Sequence, residues 1–183
     1  MRWGLALLRV VVGAGFMAHG AQKLFGWFGG YGLEGTGKFF EENLQLAPGK
    51  RNAAAAGLSE FGGGALVAAG AAMPVATATL TGTMTTAVWT VHKEKGFFAS
   101  DGGYELNLLL VAALAALTDV GPGALGRDEG HGSFVTLLAL GAGVAGGFAA
   151  MELGRREFAK RSAAGQADGA APAEAPVAAS ASA

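Results

Sequence analysis

Residues 61–91 read FGGGALVAAGAAMPVATATLTGTMTTAVWTV, a run without a single charge. As one helix it would be about 46 Å long at about 1.5 Å per residue. The hydrocarbon core of a bilayer is only about 30 Å thick, so the run is too long for one crossing. Met73-Pro74 lies near its middle. Proline lacks an N–H and turns the preceding residue away from helix. The stretch therefore predicts a helical hairpin, with one helix over about 52–72, a turn at Pro74 and a second helix over about 75–91. Thr77, Thr79, Thr81, Thr83 and Thr85 alternate as in a strand. An unpaired strand in lipid cannot satisfy its backbone, so helix is the prediction here too. The threonine hydroxyls then either bond helix carbonyls or line a path for a solute.

Moving outward, Trp3 to Phe25 is a first apolar span, interrupted by Arg9 and by His19, Gln22 and Lys23. Arg9 cuts the apolar region, and bulky aromatics follow Ala21, which argues against a cleaved signal sequence. Residues 104–119 form a shorter apolar segment, and 131–156 hold another, with Asp128-Glu129 before it and Arg155-Arg156 after it. The expected fold is all-α: a polytopic transmembrane helical bundle with four helices within residues 1–130 and a fifth, C-terminal one. The Ala/Pro-rich tail, residues 157–183, reads as disordered. Small residues spaced by four let helices approach closely in lipid. Gly143/Gly147, Gly64/Ala68, Ala78/Gly82 and Ala14/Ala18 have that spacing.

Composition agrees with a lipid solvent. Glycine supplies 32 of 183 residues, and charged residues are 15%, against about 25% in ordinary soluble domains. Cysteine is absent, which excludes disulfides, thiol nucleophiles and thiolate metal sites. A net charge of −1 excludes nucleic acid as a bulk partner. The implied partner is the lipid bilayer of a plasma membrane, crossed several times. With five crossings and the N-terminus outside, Lys38, Lys50, Arg51, Lys93, Lys95, Arg155, Arg156, Lys160 and Arg161 lie inside, and Arg2 and Arg127 outside. The positive-inside rule favours that orientation.

Ionisable groups within spans cost free energy and normally face one another. His19, Gln22 and Lys23 share one helix face by their spacing. Glu60 lies well inside the second span, and His92 and Glu105 bracket the loop between the third and fourth. Counting crossings places all six on one side of the membrane, a candidate polar cluster. Imidazoles and carboxylates there suit proton transfer or contact with a quinone oxygen. A buried ion-pair network that fixes helix register is the alternative. Two His and two Glu could hold a metal by type, but no HxxxH or HxxE spacing supports one. Around the cluster, Trp27, Phe28, Phe39, Phe97, Phe98 and Tyr104 suit interfacial anchors or a lid, with an amphipathic helix over about 36–46.

Two ordered motifs carry a resemblance. One runs Ala18-His19-Gly20-Ala21-Gln22-Lys23-Leu24-Phe25-Gly26-Trp27-Phe28-Gly29-Gly30, then Gly32-Leu33-Glu34-Gly35-Thr36 and Phe39-Phe40. The other is Thr90-Val91-His92 with Lys95-Gly96-Phe97-Phe98 and Gly102-Gly103-Tyr104-Glu105. With Glu60, they make the chain similar to the DoxX family of small bacterial membrane proteins over roughly residues 4–120. The resemblance implies a four-helix bundle in the bacterial inner membrane. It also implies links to thiosulfate oxidation with quinone reduction, or to a membrane oxidoreductase complex that handles thiol stress. Here a fifth helix and a tail depart from the pattern. Four-helix members are drawn with both ends cytoplasmic, which places the motif loops outside, opposite to the charge count. Without cysteine, thiol chemistry would belong to a soluble redox partner or a substrate. Three functions follow as expectations: a membrane subunit of a quinone- or thiol-linked redox complex, a small-solute carrier or channel, or a non-catalytic membrane anchor.

Overall fold

The computed structural model describes residues 2–169, which are helical with no strand among them. Six α-helices follow in order: α1 Trp3–Phe25, α2 Gly32–Glu42, α3 Gly49–Ala69, α4 Met73–Ala87, α5 Glu105–Val120 and α6 Gly132–Gly169. Two of them, α1 and α6 over Gly132–Gln166, are each long and apolar enough to cross a membrane.

Glycine decides which helices touch. A Cβ on Gly13 would lie 2.6 Å from Gly64 O, and one on Gly20 would lie 2.7 Å from Gly57 O. The antiparallel α1 and α3 thus meet backbone to backbone. The face α1 uses is Gly13/Gly20 rather than Ala14/Ala18, because a methyl group would not fit in that gap. Gly143 and Gly147 of α6 meet Ala78 O and Gly82 O of α4 in the same way, at 2.5 and 2.6 Å from their would-be Cβ atoms. Both numbers rise together, so α4 and α6 are parallel. α5 runs antiparallel to α4, joined by Thr77 Oγ1 and Thr118 Oγ1 at 2.7 Å. Val12, Phe16, Val67, Met73, Leu80, Met84, Leu114 and Leu117 fill the centre.

The hairpin turns earlier than the proline suggests. α3 ends at Ala69, Gly70 takes a left-handed conformation (φ 61°), and α4 starts at Met73 with Pro74 in its first turn. Glycine accepts that conformation without a Cβ clash. Proline is tolerated in a first turn, where its missing N–H has no partner to lose. At its far end α4 passes into a π turn over Val88–His92. There Thr90 Oγ1 donates to Thr86 O at 2.7 Å, and Thr86 Oγ1 donates to Gly82 O at 3.1 Å. Hydroxyls competing for ladder carbonyls accompany the widened turn. The amphipathic helix occupies Gly32–Glu42, starting earlier than expected, with Glu34 in its first turn, where a carboxylate suits the helix dipole.

The expectation of disorder from residue 157 is corrected. α6 continues to Gly169, supported by Arg156–Glu152 and Arg161–Glu157 pairs one turn apart. The rest of the tail, 170–183, lies outside the described residues. Arg161 also reaches Glu41 of α2 at 3.7 Å, and Glu41 accepts the Gly49 N–H at 2.8 Å.

Candidate functional site

Topology sets the C-termini of α1, α4 and α6 and the N-termini of α3 and α5 at one end of the bundle. The close approach of Gly20 to Gly57 brings the last turns of α1 against α3. There Lys23 Nζ donates to Glu60 Oε2 at 2.6 Å, with the Glu60 side chain 5% exposed and that of Lys23 24%. One turn earlier on α1, His19 Nδ1–H donates to Gln22 Oε1 at 3.1 Å, and Gln22 Nε2 donates to Phe28 O at 3.3 Å. His19 is exposed. The result is a shielded ion pair with an accessible imidazole and amide on the same face.

His92 and Glu105 are built into a second unit. Glycine in left-handed conformations at Gly96 and Gly102 (φ 82° and 81°) folds the intervening loop back on itself. His92 Nδ1–H donates to Gly102 O at 2.6 Å, which leaves Nε2 as the free ring nitrogen. Glu105 accepts the Ala99 N–H at 3.0 Å, and its own N–H donates to Phe97 O. No hydrogen bond or ion pair among the described residues joins this unit to the Lys23–Glu60 pair. The six polar side chains thus fall into two groups at one end of the bundle, one on α1/α3 and one on α4/α5.

The aromatic side chains surround this end in clusters. Phe25 packs on Trp27 at 5.0 Å and edge-on against Phe61 at 6.1 Å, and Trp27 meets Phe28 at 6.4 Å. Phe97 contacts Phe98 and Tyr104 at 5.4 and 5.7 Å. Trp27, Phe28, Phe39, Phe97 and Phe98 are exposed, and Tyr104 is half-buried.

The opposite end holds polar contacts outside the six-residue polar cluster. Arg9 is buried, and its guanidinium donates to Ala68 O at 2.6 Å and Ala124 O at 3.0 Å. The sequence signal was the charge itself, alone in an apolar span. In the connection between α5 and α6, Asp128 accepts the Met73 N–H at 2.7 Å and lies 3.3 Å from His131 Nε2. Burial disfavours the charge of Asp128, yet bonds from the Met73 N–H, His131 and the Ala72 N–H outweigh it. They hold the carboxyl below the usual carboxylate range. The side chain thus caps the start of α4, whose first N–H groups have no helical partner.

Residues 4–93, close to half of the chain, match the DoxX family model. No curated protein and no solved structure matches the chain. The matched segment contains α1 to α4, and with them His19, Gln22, Lys23, Glu60 and His92. The chain thus carries a DoxX domain over residues 4–93, which supports its assignment to the DoxX family.

Proposed function

We propose that the chain is a multi-pass bundle of the plasma membrane, with a DoxX core of four spans plus α6 as a fifth, acting as the membrane subunit of a quinone-linked redox complex. The multi-span reading is supported by large apolar side chains exposed on every long helix. They include Leu7 and Val11 of α1, Leu58 of α3, Val75 of α4, Leu109 of α5 and Phe134 and Leu137 of α6. Water does not tolerate such a surface, and lipid does. The positive-inside rule sets the end bearing Lys93, Lys95, Arg155 and Arg156 in the cytoplasm. The exposed aromatics there act as interfacial anchors.

The redox reading rests on the Lys23–Glu60 pair, shielded within apolar helices beside an exposed His19. Reduction of a quinone consumes two protons and two electrons. Among this chain's residues, His19 suits a hydrogen bond to a quinone carbonyl, Phe25 and Trp27 offer flat apolar contact, and Glu60 and His19 can pass protons. The electrons come from a soluble redox partner. Most threonines of α4 and of the π turn after it favour this reading over a solute path. Thr77, Thr85, Thr86 and Thr90 commit their hydroxyls to Thr118 or to helix carbonyls, while the buried Thr81 hydroxyl has no partner among the described residues.

The test is purification in mild detergent, with co-purifying proteins and bound quinone identified, repeated with His19→Ala and His92→Ala. His19→Ala should lower quinone retention at least severalfold in a chain that is still folded. Unchanged retention in both variants would remove the redox reading.

A further inference from the structure

We propose a binding site for one anionic phospholipid, a phosphodiester headgroup with its acyl chains, in a cleft between the π turn and residues 93–94 that follow α4, α6 and the loop after α2. The cleft holds about 210 Å³ and is lined by Asn43, Gln45, Trp89, Lys93, Glu94 and Arg155. That space suits a phosphodiester headgroup.

Three features specify the ligand. The charged side chains lining the cleft are Lys93, Arg155 and Glu94, which sum to one positive charge. This matches a phosphodiester monoanion better than a dianionic phosphate monoester. Arg155 makes no ion pair among the described residues, and Lys93 Nζ sits 4.4 Å over the Trp89 ring. Cations and an indole at the boundary between polar and apolar surface are the groups that hold lipid headgroups. Finally, Trp89 packs edge-on against Phe148 of α6 at 5.1 Å, and Phe148 and Val144 are both exposed. They extend an apolar track from the cleft along α6, where acyl chains can lie. The π turn over Val88–His92 carries Trp89 and Thr90, and so shapes the inner wall of the cleft.

The site rests on the multi-pass reading but not on the redox one. Alkaline extraction of membranes separates the two possibilities for failure: a chain that is extracted lacks the spans, and the lipid site falls with them. The purified full-length chain in neutral detergent is then titrated with phosphatidylglycerol or phosphatidylcholine, and bound lipid is counted by native mass spectrometry. Phosphatidylglycerol should be preferred. Lys93→Gln and Arg155→Gln should each weaken it about fivefold, the effect of one basic residue near an anionic lipid. Glu94→Gln should strengthen it by a similar factor, a gain that misfolding does not mimic. Lys160→Gln, further along α6, should leave it unchanged. Equal uptake of both lipids, or an equal loss with Lys160→Gln, overturns the site. Displacement of the lipid by excess inorganic phosphate would show a free-phosphate site and overturn the lipid assignment.

Discussion

Lys23 and Glu60 lie 37 positions apart and meet at 2.6 Å, with the acid far better shielded than the amine. The asymmetry makes the two single deletions unequal. Lys23→Met strands a carboxylate inside the bundle, and an uncompensated buried charge costs about 3–5 kcal/mol. Glu60→Gln leaves an amine on a flexible stem that can reach the headgroups, so its cost should be nearer about 1 kcal/mol. Thermal unfolding in detergent should rank Lys23→Met well below Glu60→Gln, and the Lys23→Met/Glu60→Gln double variant should recover much of the loss. The reverse ranking contradicts the burial pattern.

Gly143 should be sensitive to any side chain. Its would-be Cβ lies 2.5 Å from Ala78 O, which is backbone and cannot rotate away. Overpacking of this kind costs about 1–3 kcal/mol. Gly143→Leu should part α6 from α4 while the α1–α3 contact persists. A Trp89→Cys/Phe148→Cys pair, in a chain without native cysteine, reports on this through a short bismaleimide linker. Linking should be efficient in the parent and drop severalfold with Gly143→Leu.

Asp128 gives the fold an acid limb. Its folded-state value lies below the ordinary one, held there by bonds from Met73, His131 and Ala72 that outweigh burial. Its contribution to stability is therefore complete above the unfolded carboxylate value and is lost as pH falls through the folded one. Hydrogen exchange at the Met73 amide should quicken as pH is lowered below about 4, beyond the intrinsic trend. Asp128→Asn should remove that dependence and weaken the cap wherever the native carboxylate is ionised. An unchanged pH profile in Asp128→Asn would assign the acid limb to another group.

Arg9 acts as a clasp for the connection between α5 and α6. A planar guanidinium can donate to Ala68 O and Ala124 O at once, whereas an ammonium is a point charge without that fork. Arg9→Lys should therefore be worse than Arg9→Met, which loses the bonds but also the desolvation cost of a cation. Arg9→Met should change the melting temperature little and raise exchange at the amides of residues 123–128 severalfold. Equal melting temperatures for Arg9→Lys and Arg9→Met would show that fork geometry is irrelevant.

Much of the helical order was legible because charge-free length is arithmetic. The run from Phe61 to Val91 cannot be one crossing, and the hairpin follows. Its register was less legible. Gly70 and Pro74 both punctuate the run, and which one ends the helix depends on Gly70 taking a left-handed conformation. The family was legible from two motifs, and the Lys23 and Glu60 side chains stood out because apolar spans leave charges conspicuous. Their pairing depends on helix rotation, set by Gly20 against Gly57, which spacing alone does not give. The separation of His92 and Glu105 follows from a loop that bonds to itself through Gly102 and Ala99. The C-terminal extension of α6 was hidden by composition. Alanine-rich sequence reads as a tail, although Glu152/Arg156 and Glu157/Arg161 already had helical spacing.

The contact between Glu41 and Arg161 carries a consequence for biogenesis. The short surface helix near the start of the chain gains one of its fastenings from a residue made 120 positions later. While the ribosome is still translating α5 and α6, that helix is held only by the elements beside it in sequence, α1 and α3. This end of the bundle becomes a finished surface only when α6 has emerged, so any partner that reads it meets completed molecules alone.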